Sequence, residues 1–243
     1  MSHWYEGPLA AFATETTGAD VTADRIVSAA LVIEPAPGEV AEIVRWLVDP
    51  GIPVPAASRA LHGLSEEFLR LYGRHPAQVV DEVARELAGA CAAHIPLVVP
   101  DAPYHLTLLD RELRRHRQTS LSAYFTGPGW CVLDPPVLDG HLDRHRRGGR
   151  TLADLCAHYA VPPSGTGEAA ADAGTALAVA RAIGRHHAGR LQTFTPAELH
   201  TRQAAWYAAQ SRGRQSWLTR NGTPERRDPA WPVRPGPSSH AAA

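Results

Sequence analysis

Three apolar runs, Pro8 to Phe12, Arg25 to Ile33 and Val40 to Val48, precede the first stretch of the chain with helical periodicity. Each is bounded by Gly, Pro or Asp, the punctuation of strands, and together they predict an antiparallel meander opening the fold. Pro76 to His94 then places Val79, Val80, Val83, Leu87 and Cys91 at spacings of three and four, the pattern of a helix with one buried face. Ile95 to Val99 reads as a short, fully buried strand. Pro103 to Arg117 reads as a helix whose terminal Arg114-Arg115-His116-Arg117 places cations where the helix dipole is negative.

Trp130 to Leu133 is a further candidate strand, followed by helices at Pro136 to Arg144, Thr151 to Tyr159 and Glu168 to His187. The basic Arg144 to Arg150 stretch is a loop between the first two. Thr195 as N-cap with Pro196 at the first helical position opens a last helix, running to about Leu218 and carrying Trp206, Tyr207 and Trp217. Strands and helices in this order predict an α/β fold, a mixed sheet covered by helices with an added C-terminal helix. The expected divisions are a main domain over 1–190, a helical extension over 191–220 and a tail over 221–243. The tail, rich in Pro, Arg, Gly, Ser and Ala, is expected to be disordered or draped on the surface and pinned by Trp231.

With 243 residues, 44% of them hydrophobic, the chain can bury one substantial core. A formal net charge of −1 excludes a global positive field, so any contact with nucleic acid has to be local. Every basic residue other than histidine is arginine. Cys91, Cys131 and Cys156 are far apart and lack metal-ligand spacing, which favours reduced thiols over a disulfide framework or a zinc site. The start has no basic and apolar leader pattern, and no stretch reaches the roughly 20 apolar residues of a membrane span. The expectation is a soluble, cytoplasmic protein without membrane contact.

The most specific stretch is Phe12-Ala13-Thr14-Glu15-Thr16-Thr17-Gly18-Ala19-Asp20. It resembles the first motif of the DnaQ-like (DEDDh) 3′–5′ exonucleases of the ribonuclease H-like superfamily, in which an Asp-x-Glu pair precedes Thr-Thr-Gly. Residues two apart on a strand face the same side, so positions 13 and 15 would share one centre. Val48-Asp49-Pro50-Gly51-Ile52-Pro53 and His62-Gly63-Leu64-Ser65-Glu66-Glu67 look like the segment beside the terminal nucleotide. Pro96 to Val99, Ala102-Pro103-Tyr104 and Leu108 to Leu113 resemble the second motif, and Ala170-Ala171-Asp172-Ala173 the third.

The resemblance implies a ribonuclease H-like fold and a divalent metal centre, Mg²⁺ or Mn²⁺, in which acidic groups hold two cations and a histidine deprotonates water. The chain departs from that pattern at three positions: Ala13 replaces the first acid, His105 the acid of the second motif, and Gly167 the histidine. Glu15 and Asp172 are the surviving acids. A replacement metal site would use Glu15, Asp172 and His105, an imidazole with two carboxylates suiting Mn²⁺, Zn²⁺ or Fe²⁺ better than Mg²⁺. Asp101 is a poorer substitute.

Thr16, Thr17 and Gly18, with His62 and Gly63, are candidates to receive a nucleotide or a single-stranded 3′ end. The alternative for the first three is an ordinary turn between strands. The two Arg clusters are expected to be solvated faces or helix ends, with phosphate contact the alternative, and the aromatics of the last helix to pack on the main domain, with stacking on bases the alternative. Three functions follow: a degenerate exonuclease homologue, inactive or nearly so, that still binds nucleic acid; an active exonuclease with a remodelled site; and a protein-interaction scaffold.

Overall fold

In the computed structural model, residues 3–126, 129–163, 167–224 and 226–236 are described. Strands β1 (Leu9–Thr16), β2 (Ile26–Glu34), β3 (Glu42–Leu47), β4 (Leu97–Val98) and β5 (Val132–Leu133) form one sheet in the order β3-β2-β1-β4-β5. The first three pair antiparallel as the expected meander, and β4 and β5 add to β1 in parallel, giving a mixed sheet.

Helices α3 (Pro76–Ala92) and α4 (Ala102–Arg117) cover one face. Helices α5 (Pro135–Leu142), α6 (Leu152–Tyr159) and α7 (Ala169–His186) cover the other. Alternation along β1 divides its side chains between the two cores: Ala10 and Phe12 enter the first, Leu9, Ala11 and Ala13 the second. A buried strand flanked on both faces needs apolar residues throughout, which is why β1 reads as a continuous apolar run.

Two helices, α1 (Ala56–His62) and α2 (Glu66–Tyr72), lie where the sequence suggested none. Their apolar side chains do not trace a buried stripe: Leu61, Phe68, Leu71 and Tyr72 are exposed, and Leu69 is the large side chain that anchors the pair, against Val27 and Val54. Periodicity cannot reveal a helix whose apolar residues face water. The short α8 (Ala188–Leu191) and a 3₁₀ turn at Leu121–Tyr124 are also additions.

Helix α9 (Pro196–Arg220) begins with the expected cap: the Thr195 hydroxyl and the Glu198 carboxylate exchange hydrogen bonds with each other's backbone amides. It belongs to the body of the fold. Gln203 on α9 accepts from the Asp134 amide at 2.7 Å and donates to the Val132 carbonyl at 3.0 Å, while His200 Nδ1 accepts from the Val132 amide at 3.1 Å. Side chains of a helix thus satisfy the backbone of the outermost strand β5. Trp206 and Tyr207 are half-buried against the core, but Trp217 is 46% exposed, contrary to the packing expected of all three.

Over 226–236 the chain lies against the body of the fold, the draped and pinned arrangement of the two expected for the tail. Trp231 is buried in the first core, its indole donating to Asp134 at 3.2 Å, and the Arg234 amide donates to the Thr107 hydroxyl at 2.9 Å. Residues 237–243 of the expected tail lie outside the described residues. Among the described residues no helix is long and apolar enough to cross a membrane.

Candidate functional site

A cleft of about 710 Å³ opens at the carboxyl ends of β1, β4 and β5, where ligands bind in open α/β sheets. Ala13, His105 and Asp172 line it, with Asp101 and Asp134 following β4 and β5. Helix α9 adds Tyr207, Gln210 and Arg214 to the wall, and Arg150 and Arg227 complete the basic part of its lining. Of the site residues expected from the sequence, Ala13, His105 and Asp172 share this lining and Glu15 does not; the contributions of α9 and of Arg227 had no signal in the sequence.

Glu15 sits two residues beyond Ala13 on β1, and burial followed by repulsion from Asp172 pushes its carboxyl up to about 7. The two surviving acids therefore sense each other. His105 is held by its Nδ1, 2.8 Å from the Thr14 hydroxyl, and burial lowers its pKa to about 4, so the ring is neutral at pH 7. Asp134 is raised to about 7 by burial and by Asp101, and it accepts from the Ala102 amide at 3.0 Å. Its task is to hold the start of α4.

The donor set does not fit a two-metal centre. Ala13 offers a buried methyl group where the resemblance calls for an acid that would help hold the cations. Among the described residues no three His, Cys, Asp or Glu side chains gather closely enough to hold a metal ion, so the replacement set of Glu15, His105 and Asp172 is not assembled. The bond to Thr14 occupies one of the two nitrogens His105 could offer. Asp101, in a left-handed conformation at φ 51, supplies no third ligand either.

Gly167 stands where the resemblance calls for a histidine. Its φ is +61, and a β-carbon there would stand 2.1 Å from the Leu61 carbonyl oxygen, so the backbone passes directly over the end of α1. His62, next to that contact, is buried. Its Nδ1 accepts from the Leu64 amide at 3.1 Å, and burial lowers its pKa against the opposing effect of the Thr16 backbone. Gly63 ends α1 in the left-handed conformation, at φ 73.

Thr16, Thr17 and Gly18 are occupied by a turn network. The Thr17 hydroxyl donates to Asp24 at 2.7 Å and accepts from the Arg25 amide at 3.0 Å, while the Thr17 carbonyl accepts from Ser58 at 2.7 Å. The Thr16 hydroxyl, the Tyr104 hydroxyl and the Gly18 carbonyl form a triangle with sides of 2.7 to 2.8 Å. Two protons serve those three sides, so at most two of them are hydrogen bonds at any moment. At Gly18 a β-carbon would stand 2.5 Å from the Asp24 carboxylate, so any side chain there has to displace the Asp24 group that Thr17 holds.

The Arg144 to Arg150 loop is less free than its composition suggests. Arg146 and Arg150 both donate at 2.7 Å to one oxygen of Asp139, which is fully buried, and Tyr159 donates to the other oxygen at 2.8 Å.

No family model matches the chain, and no curated protein matches it. Solved structures do. Exonuclease I from Methylocaldum szegediense superposes with a TM-score of 0.63 at 17% identity, covering 84% of this chain and 45% of that one. The zinc-bound E. coli exonuclease I complex with single-stranded DNA gives 0.62 at 13%, covering 88% and 45%. A complex of exonuclease I with SSB-Ct gives 0.62 at 12%, covering 88% and 46%. The chain thus spans less than half the length of these proteins. Likeness at such identities speaks to architecture, and the architecture is the one the motifs suggested: this chain has the ribonuclease H-like fold of exonuclease I.

Proposed function

We propose that this chain is a degenerate 3′–5′ exonuclease homologue that does not hydrolyse phosphodiesters by the two-metal route and holds a single-stranded 3′ end or a nucleotide in the old cleft. The observation that carries the reading is the chemistry at the cleft floor: a methyl group at Ala13 beside a neutral imidazole at His105, tied to Thr14. Loss of one essential member of a cooperative catalytic set costs on the order of 10⁴-fold or more in rate. The binding half of the reading is supported by the basic side chains in the cleft lining and by solved complexes of exonuclease I with single-stranded DNA.

A second reading, a protein-interaction scaffold, draws support from the exposed Leu61, Phe68, Leu71 and Tyr72 on α1 and α2, and from the exonuclease I complex with SSB-Ct.

The test is degradation of a 5′-labelled single-stranded oligonucleotide with Mg²⁺ and with Mn²⁺, alongside binding of the same strand in EDTA. The expected result is binding without cleavage. Cleavage that disappears in Asp172→Ala would overturn the degenerate reading in favour of a remodelled active site. Absence of both binding and cleavage would favour the scaffold.

A further inference from the structure

Trp217 lies on the outer part of α9 with 46% of its surface in water, whereas Trp206 and Tyr207 on the same helix are half-buried. The Arg214 guanidinium stands over its ring, 4.6 Å from the centroid. Arg214 also lines the cleft, together with Tyr207 and Gln210. Positions 207, 210, 214 and 217 follow one another at helical spacing, so the face that forms the cleft wall continues outward as the Arg214–Trp217 stack. An indole in that position adds little to the core. Stacked against a guanidinium, it is also restrained before any ligand arrives, which reduces the ordering cost of binding.

The chemistry of the pair is specific. An exposed indole offers a π surface, and the neighbouring guanidinium, which makes no hydrogen bond or ion pair among the described residues, offers a charge. A single strand presents a flat base and a phosphate at each step, and proteins that hold single strands combine aromatic platforms with cationic grooves. Neither contact needs a metal ion.

We propose that Trp217 and Arg214 form a base-stacking platform at the mouth of the cleft, where one base of a single-stranded nucleic acid lies on the indole and the adjoining phosphate meets the guanidinium. The proposal rests on the nucleic-acid reading of the cleft and extends it to α9, a helix outside the exonuclease-like sheet. The platform is tolerant of sequence, because every base has a π face.

The experiment is fluorescence anisotropy of a labelled thymidine oligonucleotide titrated with the full chain in EDTA. Trp217→Ala is expected to weaken binding by about 5- to 150-fold, the range spanned by base–aromatic stacking, and Trp217→Phe to recover much of it. The salt dependence separates the two partners: Arg214→Gln lowers the slope of log K against log salt by about 0.7 for the lost phosphate contact, and Trp217→Ala leaves it unchanged. A strand with abasic sites is expected to lose a similar factor against the unaltered chain, a comparison that does not depend on any variant folding. Equal binding of abasic and intact strands, or full affinity in a folded Trp217→Ala chain, would overturn the platform and leave the cleft reading standing. No binding by the unaltered chain would overturn both.

Discussion

The Leu61 carbonyl oxygen stands 2.1 Å from the point where a β-carbon on Gly167 would sit. The end of α1 and the approach to α7 therefore meet backbone to backbone, at the position where the resemblance calls for a catalytic histidine. Restoring that histidine is not a local change. A side chain at 167 has to move α1 and also adopt a left-handed backbone, which alone costs about 1–2 kcal/mol.

Gly167→His is accordingly expected to lower stability by more than about 2 kcal/mol, or at least roughly 4 °C in melting temperature for a chain of this size. Gly167→Ala should show most of the same loss, because the clash begins at the β-carbon. An unchanged melting temperature in either variant would count against the close contact.

Glu15 makes stability fall with pH. Its carboxyl is raised to about 7 in the folded chain from an ordinary 4.5, so between those values the folded state binds more protons than the unfolded state. Stability is greatest below about pH 4.5 for this group and declines as pH rises through 7. Glu15→Gln should flatten that decline and raise the melting temperature at pH 8, by about 2–4 °C for each kcal/mol of relieved burial and repulsion. Thermal melts of both chains from pH 5 to pH 8 decide it; parallel curves would refute the assignment.

Asp139 is the buried anion that organises the basic loop. Asp139→Ala removes the shared acceptor of Arg146 and Arg150 and leaves two guanidinium groups without their carboxylate. Breaking a buried ion pair from one side costs about 3–5 kcal/mol. Faster proteolysis within residues 144–150 should accompany the loss of stability, and retention of the unaltered cleavage pattern would show that the loop is held by other means.

Trp231→Ala should cost about 3–5 kcal/mol, as for other large aromatic truncations in a core, although the sequence places the residue in a segment resembling a flexible tail. Chemical denaturation measures it. A loss below about 0.5 kcal/mol, the usual size of a surface substitution, would mean that the indole is not a core residue in solution.

Much of this architecture was legible because the patterns were local. The three opening strands, α3, α4 and α9 are given by apolar runs bounded by turn residues, helical spacing and a Thr-Pro-x-Glu start, each readable within a few residues. The cleft was legible in part, since strand alternation places Ala13 with the second core and the motif order brings His105 and Asp172 to it. What escaped was set by tertiary contact. Helices α1 and α2 turn Leu61 and Tyr72 to water, and Arg150 is tied to Asp139 rather than free. None of these leaves a periodic trace. Nor does the sequence reveal that Thr17 would spend its hydroxyl on Asp24 and the Arg25 amide.

The grip of α9 on β5 also governs how copies of this chain can meet. Gln203 and His200 occupy backbone groups that an outermost strand otherwise presents to any extended chain. The other border of the sheet, β3, carries Glu42, Ile43 and Arg45 at its exposed positions. Pairing through β3 alone joins two sheets and stops there. Without α9 both borders would be bare, and the same pairing could repeat from copy to copy without closing, so the last helix sets an upper limit on how far the sheet can propagate.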